Sequence, residues 1–372
     1  MMSDLTHEIV QARKKLLDLW IWNNIRIDLV FSGVFNQRVR GLSPTTQSRE
    51  HLDGFEVVGI PVDHSAPGAL AYLIRTPDEK TILYTGDLRF DHDGFWSGRI
   101  GKYATLDYFL DKIGGVDIDV LILEGTHIDY FPFRKEQDVK SWFDEVIKEC
   151  ACAGDHTIMC YFGDTDIDRF YSIYDVARQN DFRLILNYKH YYIIKRILSR
   201  ISTEFPKENI KLRYEKYLAP VRCFIEEISE DQLENLCIDR RNLIRDIRNG
   251  EKNIIVLRHL ALSEIRRVVG ILKEAGVNGI FIYSSSEPMD DEQRIRFEKV
   301  KGWLYRYGLP IYHIHASGHA HPIHLKKLVK ETKPREIIPV HTEQPELFRR
   351  YIASQGQPRW IIPENLPKIL DI

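Results

Sequence analysis

Several features that would settle the class of this sequence at a glance are missing from it. Long apolar runs are absent: no segment reaches the ~18 uncharged apolar residues that span a bilayer. The first residues lack the basic, apolar and small-residue succession of a secretory signal, so no membrane association and a cytoplasmic location are expected. Cysteine is scarce, with five residues and no CxxC pair. That excludes a disulfide scaffold and points to free thiols in a reducing compartment. Neither sign of charge dominates, because 52 Lys and Arg stand against 54 Asp and Glu, a formal net charge of −2. A protein that coats nucleic acid through bulk positive charge is thereby excluded. A metal-dependent nuclease is not, since cations and a few local donors can hold a phosphate on a near-neutral surface.

The 372 residues are 44% apolar and 28% charged, a globular composition with length for roughly two domains. Short apolar runs alternate with amphipathic stretches. Strands are expected at 55–62, 81–85, 118–123, 157–161, 182–186, 253–257, 280–283, 311–314 and 336–340. Helices are expected at 137–150, 166–178, 191–200, 263–274, 292–307, 323–332 and 345–354, with a further one opening the chain behind Ser3 or Asp4. This alternation is α/β. Residues 207–250 are charged and helix-rich, with no element assigned.

Four places put small residues beside metal-ligand types at strand ends, where a rigid strand holds a group and a loop exposes it. In Pro61-Val62-Asp63-His64-Ser65-Ala66-Pro67-Gly68 a strand delivers His64 into a turn, where it is either a ligand or a hydrogen-bonded turn histidine. In Tyr84-Thr85-Gly86-Asp87-Leu88-Arg89, Asp87 is either a carboxylate able to bridge two cations or an Asx-turn residue. Val120–Leu123 ends in Glu124-Gly125-Thr126-His127, where a glutamate meets solvent or orients a partner. The fourth place is His313-Ile314-His315-Ala316-Ser317-Gly318-His319-Ala320-His321-Pro322, followed by Ile338-Pro339-Val340-His341-Thr342-Glu343. There His321-Pro322 reads as a helix entry, His324 as a surface residue, and His319 and His341 as the pair of interest.

The strings DHSAPGA, YTGDLR, LILEGTH, ASGHAH and PVHTE, in that order, resemble the metallo-β-lactamase-fold ribonucleases with a β-CASP insertion, in particular the ribonuclease J family. The resemblance covers residue 57 to the C-terminus. It implies part of an αββα sandwich at 1–128, an inserted β-CASP α/β domain at 129–303 and a return segment at 304–372. It also implies roles. His64, Asp87 and His341 would hold two zinc ions, with Asp87 bridging and manganese as a substitute. His319 would face the scissile phosphate, and Glu124 would orient His319. Ser284, Ser285, Ser286 and Ser317 would touch substrate phosphates. The substrate would be RNA or single-stranded DNA.

The family's main ligand cluster, HxHxDH, does not occur in this sequence; before His64 there are only His7 and His51. Three readings follow: a fragment, one half of a split enzyme completed by a polypeptide bearing HxHxDH, or a non-catalytic RNA- or protein-binding relative. As an isolated chain, a nuclease of this kind is expected to be incomplete, because a catalytic zinc normally has three protein ligands. His64, Asp87, Glu124, His319 and His341 are expected to converge.

Overall fold

The computed structural model describes residues 47–100, 104–129, 134–152, 154, 156–206, 208–213, 236–286, 288, 291–352 and 358–362, with residues 2, 3, 5, 10, 41 and 42. They fall into two compact units. The first takes residues between Arg38 and Phe133 together with those from Ser317 onward; the second takes those from Arg134 to Ala316. The fold class is α/β, with a seven-stranded sheet in each unit.

In the first unit, β1 (Met2–Ser3) and β2 (Gly41–Leu42) make a short parallel pair. The main sheet contains β3 (Ser48–Leu52), β4 (Phe55–Pro61), β5 (Leu70–Arg75), β6 (Thr81–Tyr84), β7 (Val120–Glu124), β15 (Glu336–Val340) and β16 (Arg359–Trp360), in the order β16-β15-β7-β6-β5-β4-β3. β3 to β6 are antiparallel, and β6, β7, β15 and β16 run parallel. A parallel step needs a crossover. Between β6 and β7 it contains α1 (Phe95–Ile100) and α2 (Leu106–Ile113). Thr105 caps α2 by accepting from the Tyr108 N–H, and Gly114 ends it in a left-handed conformation.

Register decides what each face of this sheet buries. Val58, Leu73, Leu83, Leu121 and Ile337 stand opposite one another along one row. Leu106 and Phe109 of α2, Leu325 and Leu328 of α9 (Pro322–Thr332) and Phe348 of α10 (Pro345–Ile352) join them in one core. The opposite face is apolar too: Ile74, Ile82 and Val120 form one row, and Tyr72, Tyr84, Ile122 and Ile338 the next. These residues are half-buried or exposed. Tyr72 stacks on Tyr84 with ring centroids 6.4 Å apart.

The second sheet is wholly parallel, in the order β11-β10-β9-β12-β8-β13-β14. Its strands are β8 (Thr157–Tyr161), β9 (Arg183–Leu186), β10 (Ile210–Arg213), β11 (Cys237–Ile238), β12 (Asn253–Val256), β13 (Ile280–Tyr283) and β14 (Ile311–His313). α3 (Glu136–Cys152) precedes it; α4 (Ile167–Gln179), α5 (Tyr188–Arg200), α6 (Arg240–Arg248), α7 (Leu262–Ala275) and α8 (Asp291–Arg306) make crossovers. β12 and β13 are buried at every residue, as a sheet covered on both faces requires.

The expected strands and helices are found within a few residues of their expected bounds, with two differences of substance. Residues 311–313 do not open a return segment beginning at 304. They form the edge strand β14 beside β13, where the Phe281 N–H donates to the Pro310 carbonyl (2.8 Å) and the Ile314 N–H to that of Tyr283 (3.0 Å). β3, β5, β16, α1, α2, β10, β11 and α6 are not among the expected elements, although α2 carries Leu106, Phe109 and Ile113 and α6 Leu243, Ile244 and Ile247 at helical spacing. Ser3 pairs with Leu42 rather than capping a helix, and most of the expected opening helix lies outside the described residues. Among the described residues Cys150, Cys160 and Cys237 are in no disulfide, and no helix is long and apolar enough to cross a membrane.

Buried His190 supplies a stability test. Its Nδ1 accepts from the Asn187 amide (2.8 Å) and its Nε2 donates to the Phe162 carbonyl (3.0 Å). Burial pushes its pKa from 6.5 down to about 4. Between those values the unfolded chain binds a proton that the folded chain refuses. The stability is complete above 6.5 and is lost as pH falls toward 4, on the order of 3 kcal/mol. Denaturant unfolding at neutral and acid pH should show a smaller acid loss for His190→Gln than for the wild type.

Candidate active site

Four strand ends of the first unit bring their loops together. β4 delivers His64, whose Nδ1 lies 2.6 Å from the Gly318 carbonyl oxygen. A carbonyl only accepts, so Nδ1 carries the proton and Nε2 keeps a bare lone pair. Burial first, and then the charge of His319, lower the His64 pKa to about 4, so the ring is neutral at pH 7. Residue 318 has to be glycine: an added Cβ would stand 2.7 Å from Ser65 Oγ.

β6 leads into Gly86, whose φ is +57° and where an added Cβ would stand 3.1 Å from the Leu70 carbonyl oxygen, a position that favours glycine. Asp87 follows, with one carboxylate oxygen 3.3 Å from His341 Nδ1. Burial acts to raise its pKa, but the hydrogen bond from His341 and the charges of His319, His341 and His64 outweigh it, and the value falls to about 2. His341 leaves β15 with φ +53°, a left-handed conformation that is strained for a non-glycine residue and common at functional sites. The bond to Asp87 raises its pKa despite partial burial.

Glu124 closes β7 and is 1% exposed. Its Oε1 accepts from the Ala320 N–H (3.0 Å), and its Oε2 from the Thr126 N–H (3.0 Å) and hydroxyl (2.8 Å). Burial opposes ionisation; the neighbouring His319 and these donors overcome it, and the pKa is lowered. His319 lies at the centre. Its ring centroid is 5.1 Å from that of His64, 5.2 Å from that of His341 and 5.6 Å from that of His127. Ligand-capable atoms of His64, Asp87 and His319 all lie within 4.8 Å of one another, as do those of Glu124, His319 and His341. Imidazole nitrogen and carboxylate oxygen are donor types that suit zinc. His319 belongs to both groups, which differs from a division that reserves it for the phosphate.

Two residues of the site carried no role in the sequence reading. The Thr126 hydroxyl lies 3.1 Å from His319 Nδ1 and 2.8 Å from His341 Nδ1. His127 Nε2 lies 2.6 Å from Ser317 Oγ, which also accepts from the His319 N–H. Both stand in the LILEGTH string, where their nearness to Glu124 was the available signal. Below them is a buried ion pair: Arg89 donates twice to Asp63 (2.8 and 3.2 Å), Ser97 donates to the same carboxylate (2.6 Å), and Arg89 reaches the Ser317 carbonyl (3.4 Å).

The serines divide. Ser317 is in the first unit beside His127, whereas Ser284, Ser285 and Ser286 are in the second. Ser284 is fully buried; its hydroxyl donates to the Ile314 carbonyl (2.6 Å) and accepts from Arg169 (2.8 Å), so it is not available to a phosphate. Ser285 and Ser286 use their carbonyls to accept from His313 and from the Tyr283 hydroxyl. His313 and His315 also belong to the second unit. His321 caps α9 with Pro322 at its start, and His324 sits on that helix 3.3 Å from Asp91 rather than standing bare on the surface.

The Asp63–Arg89 pair is testable by truncation. Arg89→Ala leaves a buried carboxylate with its main counter-charge gone and should cost about 3–5 kcal/mol. Denaturant unfolding should find the Asp63→Ala/Arg89→Ala double variant more stable than Arg89→Ala alone.

Residues 308–363 match the family described as the Zn-dependent metallo-hydrolase RNA specificity domain. "Probable RNase MJ4" of Methanocaldococcus jannaschii is 32% identical over 141 residues, covering 33% of this chain and 29% of that protein. "Ribonuclease J" of Mycoplasma pneumoniae is 24% identical over 296 residues, covering 76% and 45%. The chain thus spans less than half the length of either relative. A crystal structure of a protein of unknown function from Enterococcus faecalis V583 shares the fold, with a TM-score of 0.66 at 20% identity over 98% of this chain and 73% of that one. By its motifs and these matches the chain resembles the ribonuclease J-like, metallo-β-lactamase-fold β-CASP ribonucleases.

Proposed function

We propose that this chain bears part of the active site of a metal-dependent phosphodiester hydrolase acting on RNA. The observation that carries the reading is the meeting of His64, Asp87, Glu124 and His341, from four separate strand ends, with His319 from the loop before α9. On this reading His64 and Asp87 hold one divalent cation and Asp87 and His341 a second, with zinc the ion of choice and manganese a substitute. Such cations polarise a phosphodiester and make a nearby water more acidic. The chain's own groups do the rest. Asp87 stays ionised, and His64 stays neutral with Nε2 bare. His319, held over Glu124 and Thr126, stands where it can stabilise developing charge or give a proton to the leaving oxygen. The parallel sheet of the second unit would be the β-CASP domain that grips the nucleic acid, spanning 134–316 in place of 129–303.

Two donors per cation, Asp87 shared between them, fall short of the usual three. We assign the remaining donors to polypeptide bearing HxHxDH, layered on the apolar sheet face of Ile74, Ile82, Ile122, Tyr72 and Tyr84. Sheet faces of that composition call for cover.

Metal analysis beside a nuclease assay tests the proposal. The chain alone should hold zinc weakly and cleave RNA or single-stranded DNA little with zinc or manganese. Added polypeptide carrying HxHxDH should restore cleavage of RNA, and His319→Ala should abolish it. Tightly held stoichiometric metal with strong cleavage by the chain alone would show the ligand count misjudged. RNA binding with no cleavage under any of these conditions would replace the hydrolase with a non-catalytic binding protein.

A further inference from the structure

We propose that Thr126 is a positioning residue that fixes which nitrogen of His319 and of His341 carries the proton, so that both rings keep Nε2 unprotonated. The argument is one of counting hydrogens. The Thr126 hydroxyl has one proton and two lone pairs. It meets three groups: Glu124 Oε2 at 2.8 Å, His341 Nδ1 at 2.8 Å and His319 Nδ1 at 3.1 Å. An ionised carboxylate has no proton to give, so the single hydroxyl proton goes to Glu124. The two lone pairs then remain for the imidazoles, and each must donate Nδ1–H.

The surroundings leave no other proton for the hydroxyl to accept. Both Glu124 oxygens already face donors, Oε1 the Ala320 N–H and Oε2 the Thr126 N–H. The second acceptor near His341 Nδ1 is Asp87 at 3.3 Å, which demands a proton on the same nitrogen. His64 arrives at the same tautomer by a separate route, through the Gly318 carbonyl. One hydroxyl and one carbonyl therefore put three imidazoles in the form in which Nε2 can coordinate a cation or meet a phosphate oxygen. A free neutral imidazole has no such constraint.

The consequence at the two rings is unequal. Without the hydroxyl, His341 keeps Asp87 at 3.3 Å, whereas His319 keeps only Glu124 at 3.5 Å, at the limit of a hydrogen bond. His319 is thus the more sensitive reporter. The proposal concerns the site of the hydrolase reading and rests on it only for its metal consequence, because the tautomers are observable without metal.

The experiment is long-range proton–nitrogen correlation NMR on isotope-labelled histidine in the full chain, at alkaline pH where the rings are neutral. The wild type should show Nδ1–H at His319 and His341. Thr126→Ser, which keeps the hydroxyl, should show the same. Thr126→Val, which removes it, should move His319 toward Nε2–H and His341 less. Zinc affinity, read by competition with a chromophoric chelator, should drop about ten- to a hundredfold in Thr126→Val and hold in Thr126→Ser. Nε2–H at His319 in the wild type would overturn the proposal without any variant, so a failure of Thr126→Val to fold cannot rescue it. An unchanged His319 tautomer in folded Thr126→Val would overturn it as well. Correct tautomers with no zinc binding even beside added polypeptide carrying HxHxDH would leave the proposal standing and count against the hydrolase reading.

Discussion

Glu124 places a charged carboxylate where water barely reaches, and the site is organised around satisfying it. An unpaired buried charge costs many kcal/mol, so such a group persists only with donors on both oxygens. Glu124 takes them from three directions: Ala320 in the loop before α9, and the backbone and hydroxyl of Thr126 just beyond β7. The first tie reaches across 196 residues of sequence. It holds the loop of His319 against the end of β7, and through Thr126 it sets the relation of His319 to His341. A carboxylate in this position works as a structural anchor and a proton-state selector together.

The sheet makes that arrangement possible. β6, β7 and β15 run parallel and adjacent, so their C-terminal ends lie side by side and emit the loops of Asp87, Glu124 and His341 at one edge. His64 enters from β4, which is antiparallel to its neighbours. It is kept in place by the Asp63–Arg89 bridge beneath it and by the Gly318 carbonyl above. Arg89 also contacts the Ser317 carbonyl, so one guanidinium braces two loops that carry histidines. The cost of burying that ion pair is offset by geometry: five hydrogen-bonding contacts tie residues 63, 89, 97 and 317.

Much of this was legible in sequence, for physical reasons. β8, β13 and β15 are short apolar runs bounded by turn residues, and they occur where such runs predict them. Glycines 86 and 318 mark close approaches that favour glycine. His321-Pro322 starts a helix because proline has no N–H to leave unsatisfied there. What escaped was context. Leu70–Arg75 is a strand because β4 and β6 pair with it on either side, and its own apolar pattern does not alternate. Residues 311–313 join the second sheet through backbone bonds to β13, which composition does not encode. Thr126 carries no charge, and a lone threonine gives no signal until three acceptors and donors are seen around its hydroxyl. Ser284 looked like a phosphate contact because it follows a strand, and burial by Arg169 and the Ile314 carbonyl removes it.

The central claim is that these strand-end loops form a cation site around Asp87. Crystals of the chain soaked in zinc, with anomalous diffraction collected on both sides of the zinc absorption edge, test it most directly. The account predicts an anomalous peak within bonding distance of an Asp87 carboxylate oxygen and of Nε2 of His64 or His341. A peak found only at His321 and His324, or no peak near Asp87 at saturating zinc, would contradict it.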